Sequence, residues 1–155
     1  MTVAVITISD RASRGEYEDL SGPEIEKVLH QHLPGVVVQR HIVPDEPDEI
    51  TAAFGRFAES EFIITTGGTG IGPRDVTPEV TAAYCDRLLP GIAETLRAES
   101  YRETPQAMLS RGVAGVRKET VIVNFPGSVK AVRLCAGLLV PVMEHAVKML
   151  HGGGH

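Results

Sequence analysis

Three short runs constrain this chain most: Val3 to Ile8, Phe62 to Thr65 and Val121 to Val123. Each is continuously apolar and β-branched instead of alternating. That is the pattern of strands buried on both faces, as in a parallel sheet. Val36-Val37-Val38 and Ile42-Val43 predict a further strand with partial polar alternation. Helical patterns lie between the strands. Ile25, Val28, Leu29 and Leu33 share one face, with Ser21 and Glu24 at capping-box spacing and Pro23 in the first turn. Ile50, Ala53, Phe54 and Phe57 recur at helical spacing. Thr77 reads as the cap of another helix and Pro78 as its first residue. Further helices are predicted over 92–101 and 129–139, with Pro141 ending or kinking the last one before 142–150. Strands alternating with helices predict an α/β three-layer sandwich with a mostly parallel central sheet. The 155 residues suit one domain, residues 1–151, followed by a disordered GGGH tail, residues 152–155.

Charge and composition exclude some partners. The formal net charge is -5 and no run of Lys or Arg occurs, which argues against nucleic acid and anionic membranes. The N-terminus has no basic n-region and no apolar run would span a bilayer, so the cytoplasm is the expected location. Cys85 and Cys135 match no metal spacing and read as reduced, mostly buried thiols. His30 and His32 fall on a solvent-facing helix, and neither an H-E-x-x-H nor a G-x-S-x-G motif occurs.

Parallel sheets bind ligands at the carboxyl ends of their strands. That rule selects four loops: Ser9-Asp10 to Gly22, Pro44-Asp45, the glycine loop after Thr65, and Asn124 to Ser128. The glycine loop belongs to the stretch TTGGTGIGPRDVTPE, residues 65–79. It is not a P-loop, because Pro73-Arg74 stand where Lys-Ser/Thr should follow Gly72. Nor is it a dinucleotide fingerprint, because Pro73 takes the last glycine position. Its chemistry still suits an anion. Glycines let backbone N–H groups approach a phosphate, Thr66 and Thr69 add hydroxyls, and Arg74 can pair with phosphate oxygens. Asp75 would repel a phosphate unless Mg²⁺ lay between them. Asp45 fits a helix cap and a metal ligand equally, and Asp10 can cap a turn or line the site. Asn124 to Ser128 reads as a turn with a cap at Ser128. Ser110, in MLSRG, has no evident base, so binding suits it better than nucleophilic catalysis.

Taken in order, ISDR at 8–11, SGP at 21–23, VPDE at 43–46, TTGGTG at 65–70, PRDVTPE at 73–79, MLSRG at 108–112 and NFPGS at 124–128 resemble one family. It is the molybdenum-cofactor biosynthesis family, which contains molybdopterin adenylyltransferases and the corresponding domain of gephyrin. The likeness runs from the first strand to the last helix. It implies a homotrimer whose subunits bind molybdopterin and MgATP, transfer AMP to the pterin's terminal phosphate and release pyrophosphate. The product would pass to a molybdenum insertase. The resemblance makes Asp45 and Asp75 the essential aspartates, and the need to offset phosphate charge makes them candidate Mg²⁺ ligands. It makes Gly67, Gly68, Thr69 and Gly70 the nucleotide-phosphate loop; Ser9, Asp10 and Arg74 are further candidate binding residues from their place at the strand ends. Ser110 falls on the pterin side, and Asn124, Pro126, Gly127 and Ser128 form the closing loop. Relatives commonly carry a second proline after the PGS triplet, where this chain has Val129. A binding protein without turnover, or a nucleotide hydrolase using water as acceptor, would use the same pocket.

Overall fold

The computed structural model describes residues 1–154. Its elements run β1 (Thr2–Ile8), α1 (Asp10–Ser13), α2 (Ser21–His32), β2 (Val37–Val43), α3 (Pro47–Arg56), β3 (Phe62–Thr66), α4 (Thr77–Tyr84), β4 (Arg87–Leu88), α5 (Pro90–Glu103), a 3₁₀ turn (Pro105–Leu109), β5 (Ala114–Arg117), β6 (Thr120–Phe125) and α6 (Val129–Leu150). The six strands form one sheet in the order β2-β1-β3-β6-β5-β4. The first four strands in that order are parallel; β5 and β4 continue antiparallel.

The expected three layers are present, and the strand pleat explains them. Val3, Val5, Phe62, Ile64, Val121 and Val123 face α2, α5 and α6. Ala4, Ile6, Ile63 and Ile122 face the opposite way, against Ile50 and Phe54 of α3 and Val80 of α4. Each fully buried Ile or Phe contributes roughly 1.5–3 kcal/mol. Both faces of β1, β3 and β6 are therefore driven inward, which is why their sequences do not alternate. Strand β2 lies at the sheet edge and is mostly exposed, which accounts for its mixed pattern.

Several local expectations are corrected. Strand β6 extends through Asn124 and Phe125, so Asn124 belongs to the sheet and not to the loop after it. Helix α6 runs unbroken past Pro141. The ring leaves the Gly137 carbonyl without its helical donor, but both residues lie on the exposed side, where water can meet that carbonyl. Ser21 is not a cap. Asp19 supplies an oxygen to the Gly22 N–H at 3.0 Å, while Glu24 pairs with Arg133 of α6 at 2.7 Å. Thr77 lies inside α4 and its hydroxyl donates to the Gly67 carbonyl at 3.1 Å. Ser128 does cap α6, accepting from the Ala131 N–H. Helix α6 closes with Gly152 at φ 76°, Gly152 N–H bonded to the Met149 carbonyl and Gly153 N–H to that of Lys148. The rest of the expected tail reaches His155, which lies outside the described residues. Both cysteines are free, Cys135 buried and Cys85 partly so. Among the described residues no helix is long and apolar enough to cross a membrane.

Candidate functional site

The carboxyl ends of β1, β2, β3 and β6 converge, and the loops leaving them are tied together by backbone. The Ser9 N–H reaches the Val43 carbonyl at 2.9 Å and Gly67 N–H the Phe125 carbonyl at 3.3 Å. Gly67 has φ 99°, and a Cβ there would collide with the Ile8 carbonyl. Gly68 follows at φ 67°. Two successive residues in this region let the chain leave β3 sharply, which side chains would prevent. Gly127 lies beside Gly67: a Cβ on it would make ordinary contact with the Gly67 Cα, at 3.6 Å. The N-terminal arm of the site is fixed by Ser9, whose hydroxyl caps α1 by accepting the Ala12 N–H.

Asp10 and Asp45 meet across 35 residues of sequence. Asp10 N–H donates to Asp45 Oδ2 at 2.9 Å and Asp45 N–H to Asp10 Oδ1 at 3.0 Å. Arg74 enters from the glycine loop, donating from Nε and Nη2 to the two Asp10 oxygens, both at 3.0 Å, and from Nη2 to Glu46 at 2.7 Å. This guanidinium holds the Asp10 carboxyl below its ordinary value. The Asp45 carboxyl is pushed up, first by burial and then by the charges of Asp10 and Asp75; the Asp10 N–H and Arg74 offset this only in part. The hydrogen bonds of Arg74 go to Asp10 and Glu46, not to Asp45 or Asp75. A partly buried carboxylate beside two like charges is relieved by a cation, so the donor set fits Mg²⁺. No three His, Cys, Asp or Glu among the described residues could hold a metal alone. Mg²⁺ ordinarily takes one or two carboxylates and completes its shell with substrate phosphates and water.

Asp75 turns back on its own loop: its Oδ2 accepts the Gly72 N–H at 2.9 Å. A Cβ on Gly70 would also lie 2.9 Å from that oxygen. Thr69 is buried, and its carbonyl accepts from the Arg111 N–H at 2.8 Å. The Arg111 side chain donates to the Gly70 carbonyl at 2.7 Å and the Asp75 carbonyl at 2.8 Å, and pairs with Glu79. Arg111 and Glu79 escaped the sequence reading. The one available signal was the arginine that follows Ser110 in MLSRG.

Two hollows flank the Pro126–Gly127 bend. One, of about 150 Å³, is lined by Thr7, Ser9, Asp19, Thr66, Gly67 and Gly127 among others. Its floor is polar: Thr7 Oγ1 donates to Asp19 at 2.8 Å, and Thr66 Oγ1 donates to the Pro126 carbonyl at 2.7 Å. The other is a small cleft bounded by Arg97, Ser110, Asn124 and Pro126. Arg97 Nη1 donates to the Ser110 and Gly112 carbonyls, each at 3.1 Å. Asn124 is 4% exposed, and its side chain is spent inside the fold. It donates to Thr65 Oγ1 and Thr81 Oγ1 at 3.0 and 2.9 Å and accepts the Val113 N–H at 3.2 Å. The structure thus joins Asp10 directly to both Asp45 and Arg74. It brings Asp75 against Gly70 and Gly72, and Gly127 against Gly67. Ser110 lies to one side, joined to the glycine loop through Arg111.

An α/β sheet carrying a positive-φ glycine loop, paired carboxylates and an arginine at its strand ends defines a domain suited to phosphorylated ligands. The comparisons with known proteins agree with that class. Residues 4–145 match the family described as a probable molybdopterin binding domain, and the chain belongs to that family. Molybdopterin adenylyltransferase of Helicobacter pylori strain J99 is 39% identical over 154 residues, covering 97% of this chain and 88% of the relative. The solved structure of the molybdopterin biosynthesis enzyme MoaB from Thermus thermophilus is 42% identical with a TM-score of 0.87, covering 97% of this chain and 96% of the other. A solved MogA structure is 38% identical with a TM-score of 0.91, covering 97% and 99%.

Proposed function

We propose that this protein adenylylates molybdopterin, using ATP with Mg²⁺ and releasing pyrophosphate. The observation that carries the proposal is the placement of Asp45 and Asp75 around the Gly67–Gly70 loop in a chain of this family. Several relatives that align along most of the chain bear the name molybdopterin adenylyltransferase.

The nucleophile is an oxygen of the pterin's terminal phosphate monoester. Its second pKa is about 6, so at neutral pH it is mostly dianionic and needs no general base. It attacks the α-phosphorus of ATP; the new P–O bond forms as the bond to the bridging oxygen breaks, and the electron pair leaves with pyrophosphate. The difficulty is bringing two anions together, so the protein's task is placement and charge neutralisation. The Gly68, Thr69 and Gly70 amides receive nucleotide phosphate oxygens, while the Gly67 N–H stays on the Phe125 carbonyl and fixes the root of the loop. Ser110 orients the pterin. Arg74 holds Asp10 and Glu46 in a fixed rim, with Ser9 anchoring the first turn. Pro126, Gly127 and Ser128 close the site, and Asn124 braces the end of β6 that leads into them through Thr65, Thr81 and Val113. Asp45 and Asp75 would hold Mg²⁺, which supplies charge neutralisation at the phosphates.

Residues 1–151 act as the single ligand-binding domain, assembled as a homotrimer in the cytoplasm, and the product passes to a molybdenum insertase. The resemblance to the family supports the trimer and the insertase; the N-terminal sequence pattern supports the location. Sedimentation at micromolar concentration giving only monomer would remove the trimer.

The direct test is anaerobic incubation with molybdopterin, ATP and Mg²⁺, following pyrophosphate and adenylylated pterin, with Asp75→Asn as control. Pterin-dependent product, lost in the variant, is the expected result. Tight pterin binding without product would make the protein a binder. Nucleotide breakdown without pterin would make it a hydrolase.

A further inference from the structure

We propose that Arg111 is a positioning residue, holding the glycine loop in the shape that receives nucleotide phosphates. The proposal rests on the adenylyltransferase reading of the site. Arg111 touches the loop at three points and the following helix at one: its N–H meets the Thr69 carbonyl, its guanidinium meets the Gly70 and Asp75 carbonyls, and it pairs with Glu79 in the first turn of α4.

The planar trans peptide turns this into a statement about donors. A peptide's C=O and N–H point in opposite directions. With the Thr69 and Gly70 carbonyls drawn toward Arg111, the N–H groups of Gly70 and Ile71 are turned away from it. The Arg111 main chain thus orients the Thr69–Gly70 peptide, and its guanidinium orients the Gly70–Ile71 peptide. The same fork holds the main chain at Asp75, and so the carboxylate that follows from it. A lysine cannot reproduce this, because a single ammonium lacks the planar fork that reaches two carbonyls and a carboxylate together.

The clamp is itself rigidly mounted. Arg97 grips the carbonyls on either side of Arg111, those of Ser110 and Gly112. Gly112 packs so close to β6 that a Cβ there would lie 3.2 Å from the Asn124 carbonyl. Val113 then exchanges two hydrogen bonds with Asn124, one to its backbone and one to its side chain. The loop is therefore referenced to β6 through a segment that also presents Ser110. This gives Arg111 a task on the nucleotide side while its neighbour serves the pterin side.

The test compares wild type with Arg111→Lys and Arg111→Ala, keeping Lys as the variant more able to fold. Three quantities are measured: amide hydrogen exchange of residues 68–75 without ligand, Kd for ATP with Mg²⁺, and Kd for molybdopterin. Exchange in the loop should rise in both variants. Hydrogen bonds to charged groups are roughly twice as strong as neutral ones. ATP affinity should therefore fall about ten- to a hundredfold in Arg111→Lys, with pterin affinity within about twofold. Equal losses for both ligands, or unchanged loop exchange and ATP affinity, would overturn the proposal. These binding and exchange readouts need no turnover. An active-site reading that fails through absence of product thus remains distinguishable from a failure of this one.

Discussion

Asp10 and Asp45 each accept the other's backbone N–H, at 2.9 and 3.0 Å, yet their carboxyls are shifted in opposite directions. Arg74 stabilises the charge on Asp10. Burial, then Asp10 and Asp75, destabilise the charge on Asp45. The pair predicts opposite effects on stability. At neutral pH Asp10→Asn should lower the melting temperature. That loss should shrink as pH falls through the depressed folded pKa of Asp10, below 3.8. Asp45→Asn should raise the melting temperature at neutral pH. Ionised Asp45 costs the folded state more than the unfolded chain, so stability declines as pH rises from 3.8 through its folded pKa. The gain should vanish below that window. Melting curves against pH for the two variants decide this, and shifts of the same sign would refute it. Asp45→Asn should abolish turnover while stabilising the fold, the trade expected where a site holds strained charge.

The glycines of the loop should not be interchangeable with glycines elsewhere. At Gly68, φ is 67° and an added Cβ would press on the Thr77 hydroxyl and lie 3.0 Å from Asp45 Oδ1. Gly68→Ala should cost roughly 1–3 kcal/mol and activity with it. Gly55, inside α3, has nothing within 4 Å of its would-be Cβ. Gly55→Ala should stabilise by roughly 0.5–1 kcal/mol and leave activity unchanged. Urea titration of both gives the comparison.

Asn124 should behave as a structural residue by the same measurement. Its removal strands the Val113 N–H and withdraws the partner of two buried hydroxyls, Thr65 and Thr81. Asn124→Ala is expected to lose about 2–3 kcal/mol, as orphaned buried groups do. A loss under about 0.5 kcal/mol, the range of neutral surface changes, would mean those groups find other partners.

Pro141 offers a change in the favourable direction. It lies inside α6 on an exposed face, four residues after Gly137. Pro141→Ala restores a donor for the Gly137 carbonyl and removes a penalty of up to about 3 kcal/mol for proline in a helix interior. The unfolded chain regains entropy worth about 0.4–1 kcal/mol. A net gain is expected in thermal melting, and a lower melting temperature would show that the proline fits α6 at no cost.

The parallel core was legible because burial on both faces leaves its mark residue by residue: Val3 to Ile8, Phe62 to Thr65 and Val121 to Val123 have no polar side to expose. The glycine loop and its neighbouring Arg74 and Asp75 were legible because each residue type has local chemistry. What sequence spacing could not give was partnership across distance. Arg111 lies 41 residues from the Gly70 carbonyl it holds, and Arg74 lies 64 residues from Asp10. Thr77 and Ser21 have the composition of caps, but tertiary neighbours claimed one hydroxyl, and Asp19 took the other's place. Asn124 read as loop because its polar side chain hid a buried strand position that only three hydrogen bonds make tolerable. The short antiparallel strands β4 and β5 form by pairing with a sheet already in place, so their few residues carry little periodic signal. The sequence by itself determined the parallel core of the sheet, its layers and the loops at its strand ends, because burial and backbone conformation act at each residue. The tertiary structure alone decided which charges face one another and which arginine shapes the loop, because hydrogen bonds select partners by proximity in space.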